Sequence, residues 1–263
     1  MSATVLAAAA HEGFTSPGTA DFWQPLVGDG AWALTRPMVL IILTTAALVL
    51  LMTVGTRRLS LVPSKGQAAL EWLYDLPRNT IARDIIGRAE MRPHLPLLFS
   101  VFALILLNNV LGVVPVFQYP TFARIGFPIA LVAFVYVYYL GLGFRRKGVG
   151  GYLRGLVPPG LPGWIVPVIF FLEFITAFIT QPVTLALRLF GNMFAGHIIL
   201  LLFSLGAEYM LFEGGIGLKI VSIPTFLLFL VLTAFELLIE FLQAYVFTLL
   251  AATYVANSLS HEH

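Results

Sequence analysis

The sequence predicts an all-α integral membrane protein with about five membrane-crossing helices plus interfacial amphipathic helices, the last two helices being long, oblique and antiparallel. Three observations carry this. Hydrophobic residues make up 59% of the 263 residues and charged residues only 11%, against roughly 25% charged in soluble chains; the mean hydropathy is +0.92. The apolar residues gather into runs of ~20 or more, the length that a ~30 Å hydrocarbon core demands. The basic residues gather between those runs, eleven of the fifteen Lys and Arg falling in two loops.

Residues 1–35 form an outer-side segment with Glu12, Asp21 and Asp29 and no Lys or Arg. Lacking a basic start, it is not expected to be a cleaved signal peptide. Residues 38–56 read as the first span. Residues 57–94 carry Arg57, Arg58, Lys65, Arg78, Arg83, Arg88 and Arg92 among Leu70, Trp72, Leu73, Leu76, Ile81, Ile85 and Ile86, the pattern of helices lying in the interface. A second span, 95–116, holds Asn108 and Asn109; a third, 125–144, holds Tyr136, Tyr138 and Tyr139. Residues 145–163 are a Gly/Pro-rich loop with Arg145, Arg146, Lys147 and Arg154. Positive charge marks the cytoplasmic side. Two spans separate the basic loops, so both lie on that side, with the N-terminus outside and the C-terminus cytoplasmic. The expected units are 1–35, 36–94, 95–163 and 164–263.

The rest is two apolar runs, 165–212 and 220–256, either side of a break from Glu213 to Lys219. Each would be ~55 Å or more as one helix, far beyond the core thickness. Either Pro182 divides the first run or both helices lie very oblique.

These runs carry polar residues at matched depths. In an antiparallel hairpin centred on Ile216, residues equidistant from it are level. His197 lies nineteen before and Glu236 twenty after; Arg188 twenty-eight before and Gln243 twenty-seven after; Asn192 and Glu240 are each twenty-four away. At ~100° per residue Arg188 and Asn192 share a face, His197 lies near the opposite one, and Glu236, Glu240 and Gln243 share a face. That describes a winding path rather than one compact cage. An arginine at membrane depth costs ~2.5–3.5 kcal/mol and needs an anionic or aqueous partner. Arg188 is either a structural ion pair with Glu240 or Glu236, or a group facing a cavity on an ion pathway. His197 is either a packing histidine or half of a proton-exchanging pair with Glu236, since imidazole titrates near neutrality. Gly191 and Gly196 fit close packing, and Asn108, Asn109 and the tyrosines fit interhelical hydrogen bonds. Glu173, ~22 Å of helix from Arg188 toward the basic loops, suits a second, separate aqueous path.

Other classes are excluded or weak. With no cysteine there are no disulfides or thiolate sites, and one membrane histidine with scattered glutamates lacks metal-ligand spacing, so no metal is expected. A net charge of +2 without a basic stripe excludes nucleic-acid binding. Neither a nucleotide-binding motif nor a hydrolase motif is present. A proton-coupled secondary transporter with a midplane site is the alternative; it predicts internal repeats, and no halves repeat.

The stretch from Pro182 to His197, with Leu187-Arg188-Leu189-Phe190-Gly191-Asn192-Met193-Phe194-Ala195-Gly196 at its centre, resembles the signature helix of subunit a of the rotary F-type ATP synthase membrane (Fo) sector. Phe241-Leu242-Gln243-Ala244-Tyr245-Val246-Phe247 is similar to its partner segment, and Asn109 with Pro115 to the family's second span. The resemblance covers roughly residues 95–257. It implies a proton-translocating stator subunit without a catalytic site or cofactor, moving H+ in a bacterial-type plasma membrane. Its implied partners are the c-subunit ring, b-type peripheral stalk subunits, the rest of the complex and the lipid bilayer. Arg188 would be the essential arginine facing the ring, Asn192 and Gln243 would flank it, and His197 and Glu236 would line the outer of two offset half-channels, with Glu240 on the same path. Glu173 would belong near the inner one, its spacing to Arg188 being one residue longer than usual. Gly112 stands where many relatives have Asp. The physics agrees: a guanidinium holds a passing ring carboxylate charged but never relays a proton itself.

Overall fold

The structure, a computed structural model, describes Gly18 and residues 25–28, 34–57, 60–114, 120–158 and 160–259. Most of the expected outer segment, 1–35, lies outside the described residues, as do Arg58 and Pro115. Its described part contains strands that hydropathy alone does not foretell: β1 (Pro25–Val27) pairs antiparallel with β2 (Leu34–Thr35). Otherwise the described chain is helical, and five of its helices are long and apolar enough to cross a membrane.

Helix α1 (Arg36–Gly55) opens with Pro37 in its first turn, where the missing N–H has no partner to lose. Of its side chains only Pro37 and Thr44 are buried. Thr44 Oγ1 donates to Asn108 Oδ1 at 3.0 Å. Gly55 leaves room for the Leu70 side chain, which any Cβ there would strike. The chain can therefore fold straight back into the amphipathic α2 (Lys65–Asp75), capped by Ser64 Oγ accepting from the Gln67 N–H at 3.3 Å. A π-helical segment (Leu76–Ala82) and the short α3 (Arg83–Ile85) continue it, and Pro77, Ile81 and Ala82 dock it onto the core.

Helix α4 (Leu95–Val113) is the most enclosed span. It packs along the C-terminal half of the last helix, and Phe102, Ile105, Val135, Leu185, Leu189, Phe247 and Val255 form the centre of the core. Helix α5 (Gly126–Arg154) extends well past the expected end at 144. The basic stretch 145–154 is helical on either side of Gly148, whose φ of 70° is non-helical and open to glycine, so the helix is kinked there.

The region 165–212 resolves the choice over Pro182. Helix α6 (Val166–Ile175), a π turn (Thr176–Thr180) and α7 (Gln181–Phe212) run on as one 47-residue apolar stretch. Proline normally breaks a helix by clashing with the carbonyl four residues back. Here that residue, Phe178, sits in the widened π turn, where hydrogen bonds reach five residues rather than four. The same turn lies between Glu173 and Arg188. After Glu213–Gly215, α8 (Ile216–Leu259) returns antiparallel over 44 residues with Pro224 inside it. At 1.5 Å per residue these helices are ~65–70 Å long and fit a ~30 Å core only at a steep tilt.

Candidate functional site

The hairpin of α7 and α8 gathers the polar residues, with α4 behind it. His197 is buried, and its Nδ1 donates to the Met193 carbonyl one turn back at 2.9 Å. Because a carbonyl can only accept, that bond makes Nδ1 a protonated nitrogen. His197 Nδ1 also stands 4.0 Å from Glu236 Oε1. Glu236 and Glu240, one turn apart on α8, are both buried. Donor atoms of His197, Glu236 and Glu240 all lie within 4.8 Å of one another, so the cluster is more compact than the winding path expected from helix faces. The reason is Gly196: the Glu236 carboxyl occupies the space where a Cβ would project, and the bare backbone lets α8 close onto α7. Gly112 acts likewise from α4, since a Cβ there would stand 3.0 Å from His197 Nε2. The second span thus contributes space to the imidazole rather than an acid. Among the described residues these three are the His/Asp/Glu group close enough together to hold a metal ion.

Several polar atoms of the cluster are buried without a hydrogen-bond partner among the described residues: His197 Nε2, Glu236 Oε1, both Glu240 carboxyl oxygens and Gln243 Nε2. Buried polar atoms are normally satisfied, so a row of unpartnered ones is exceptional. A cavity of about 310 Å³ reaches His197 between Gly112, Ser204 and Thr233. A second, of about 270 Å³, reaches Glu236 beside Asn192 and Gly196.

The depth matching needs one correction. Asn192 Nδ2 donates to Gln243 Oε1 at 2.9 Å, so its partner is Gln243 and not the level Glu240. The backbone carbonyl of Glu240 accepts from Asn109 Nδ2 of α4 at 3.2 Å, and its carboxyl belongs to the cluster with His197 and Glu236. The Asn192–Gln243 pair is thus offset by three residues from the level register, whereas His197 and Glu236 keep it to within one. Asn108 bonds to Thr44, and Tyr138 OH lies 2.8 Å from His94 Nδ1.

Arg188 stands apart from this cluster. It is exposed, and among the described residues it is in no salt bridge. It lies with Thr184, Asn192, Ala195, Ile199 and Leu202 on one exposed stripe of α7. The buried ion pair with Glu236 or Glu240 is therefore not formed. Toward the basic loop, Glu173 is exposed and opens onto a separate, polar-lined cavity of about 290 Å³, together with Lys147, Tyr152, Gln181 and Tyr254.

A family model described as ATP synthase A chain matches residues 38–256. The chain belongs to the ATP synthase subunit a family. It is 39% identical to an ATP synthase subunit a of a Nocardioides species, covering 100% of this chain and 99% of that protein. It is 37% identical to one from Pseudarthrobacter chlorophenolicus over 94% and 93% of the two chains, and 36% identical to one from Streptomyces lividans over 95% and 90%. Family membership makes this a proton-translocating membrane-sector component of an ATP synthase with no catalytic site of its own, and displaces the secondary-transporter alternative.

Sequence patterning does not single out Thr233, Ser204, Lys147, Tyr152, Gln181 or Tyr254 as cavity residues. Helical spacing is the signal that finds two of them: Tyr254 is eleven residues beyond Gln243, and Thr233 three before Glu236, on the polar stripe of α8.

Proposed function

We propose that this chain is the proton-translocating stator subunit in which Arg188 faces the c-subunit ring between two offset half-channels. The observation that carries it is the exposed Arg188, in no salt bridge among the described residues, on an otherwise largely apolar stripe. A guanidinium at membrane depth needs an anion; the two buried glutamates nearby do not supply it, so a carboxylate carried past on another chain is its fitting partner. The outer half-channel runs through the cavities at His197 and Glu236, with Glu240, Asn192 and Gln243 leading toward the ring. The inner one is the cavity at Glu173. Protons pass from the first to a ring carboxylate, travel round with the ring, and leave by the second.

Arg188 keeps the two paths from short-circuiting. It holds the arriving carboxylate ionised, yet a guanidinium does not give up its proton inside a protein and so cannot relay one. Each charge crossing 100 mV releases ~2.3 kcal/mol, and several per turn drive ATP synthesis on other chains. The topology that fits is multi-pass in a bacterial-type plasma membrane, N-terminus outside, C-terminus cytoplasmic, with b-type stalk subunits holding the chain against rotation. The test is Arg188→Ala in the assembled, reconstituted complex. ATP-driven proton pumping should be lost while the complex still assembles; wild-type coupling would overturn the ring-facing role.

A further inference from the structure

We propose that Glu208 is the proton-collecting carboxylate at the outer mouth of the path that leads to His197 and Glu236. This rests on the outer half-channel described above and extends it to the surface. Between His197 and Glu213, Glu208 is the sole charged residue of α7, in a stretch otherwise almost wholly apolar. An ionisable group so placed on a membrane helix marks an ion pathway more often than it serves packing.

Its position on the helix is specific. Ser204 and Glu208 lie seven and eleven residues beyond His197, so at ~100° per residue both fall within about 20° of its direction. Glu208 is thus directly above His197, ~16 Å nearer the hairpin tip. The facing helix carries the matching stripe. Ser222, Thr233, Glu236 and Glu240 of α8 fall within a sector of about 60° by the same periodicity. Polar groups therefore continue from the buried cluster toward the tip on both helices.

Cavities accompany the stripe. One of about 420 Å³ is lined by Glu208, Ser204 and Ser222. The cavity of about 310 Å³ that reaches His197 is also lined by Ser204. Each has room for several waters, and Ser204 stands where the two adjoin. Glu208 itself is exposed and, among the described residues, in no salt bridge. The other charged or titratable groups on the elements packed here are Tyr209, Glu213, Lys219 at the start of α8, and Arg124 beside the turn Thr121–Ala123; Arg124 donates to Thr35 Oγ1 at 3.1 Å. A free carboxylate at the mouth of a cavity with low-dielectric walls raises the local proton concentration and so the rate of uptake.

The experiment uses the intact complex in liposomes, driving ATP synthesis at fixed membrane potential while the uptake-side pH is varied. Glu208→Gln should need about a tenfold higher proton concentration for half-maximal rate, the low end of the focusing effect of a charged cleft, and should reach the wild-type maximum at acidic uptake-side pH. Glu208→Asp should stay near wild type, and Ser204→Leu, which fills the junction of the two cavities, should shift the curve in the same direction as Glu208→Gln. A Glu208→Gln profile that superimposes on wild type, or one lowered equally at every pH, overturns the proposal. His197→Ala is the control for the reading beneath it. If His197→Ala slows uptake and Glu208→Gln does not shift the curve, only the collecting role falls; if His197→Ala leaves uptake unchanged, the outer path itself is misplaced.

Discussion

In the proposed ring-facing role, Arg188 has to be a planar cation that stays charged. An ammonium in the same place can lose its proton and lacks the guanidinium fork. Arg188→Lys should therefore lose most coupled pumping in reconstituted complex, although its charge at neutral pH is the same; retention of full coupling would mean that charge alone suffices. His197 and Glu236 stand 4.0 Å apart and buried, close enough to couple. The exchanged variant, His197→Glu with Glu236→His, should keep more proton uptake than either single exchange, with a coupling energy in the ~0.5–3 kcal/mol range seen for contacting residues. Additive single effects would point to a packing histidine. Gly196 supplies the space for the Glu236 carboxyl, so Gly196→Ala should displace that group. Its cost should be the ~1–3 kcal/mol typical of overpacking, read as slowed uptake and a lower melting temperature of the complex.

Among the elements, the interfacial segment has a chemically defined attachment to the spans. His94, immediately before α4, is buried, and its ring lies 2.8 Å through Nδ1 from Tyr138 OH on α5. Burial is the largest influence and lowers its pKa below the usual 6.5; Glu90 opposes this and Arg146 adds to it. The folded chain therefore favours neutral His94 and binds fewer protons than the unfolded one below pH 6.5. Stability contributed here is present above that pH and is lost as pH falls through the lowered value. Melting of the complex followed between pH 7 and 5 should show acid destabilisation that is smaller in His94→Gln; equal acid sensitivity in both would exclude His94 as the source.

For the molecule as a whole, the decisive feature is a hairpin too long for an upright crossing. It exposes an apolar surface with Arg188 on it, and a curved ring of helices is a shape that would cover such a surface. Its register can be tested because the chain has no cysteine. Ile199 and Leu232 line the same cavity from opposite helices, so Ile199→Cys with Leu232→Cys should cross-link, given that disulfides need Cα atoms within ~7 Å. Ile199→Cys with Leu242→Cys should not. The opposite outcome would overturn the hairpin geometry.

The class of the protein, its five spans, the interfacial helix, the hairpin and the residues Arg188, Asn192, His197, Glu236, Glu240, Gln243 and Glu173 are all legible in the sequence. Hydropathy, charge distribution and helical period are local properties, and a membrane environment makes each polar exception conspicuous. Which polar residue meets which is a different matter. Whether Pro182 breaks a helix depends on a π turn that no composition rule signals. Whether Asn192 finds Gln243 or Glu240 depends on the crossing angle of two helices. The closeness of His197, Glu236 and Glu240 depends on the absence of a side chain at Gly196 and Gly112. The exposure of Arg188, on which its role rests, is a property of how three helices pack behind it. Periodicity along one chain segment carries no information on the angle at which another segment crosses it, and that angle is set by side-chain packing across the whole core.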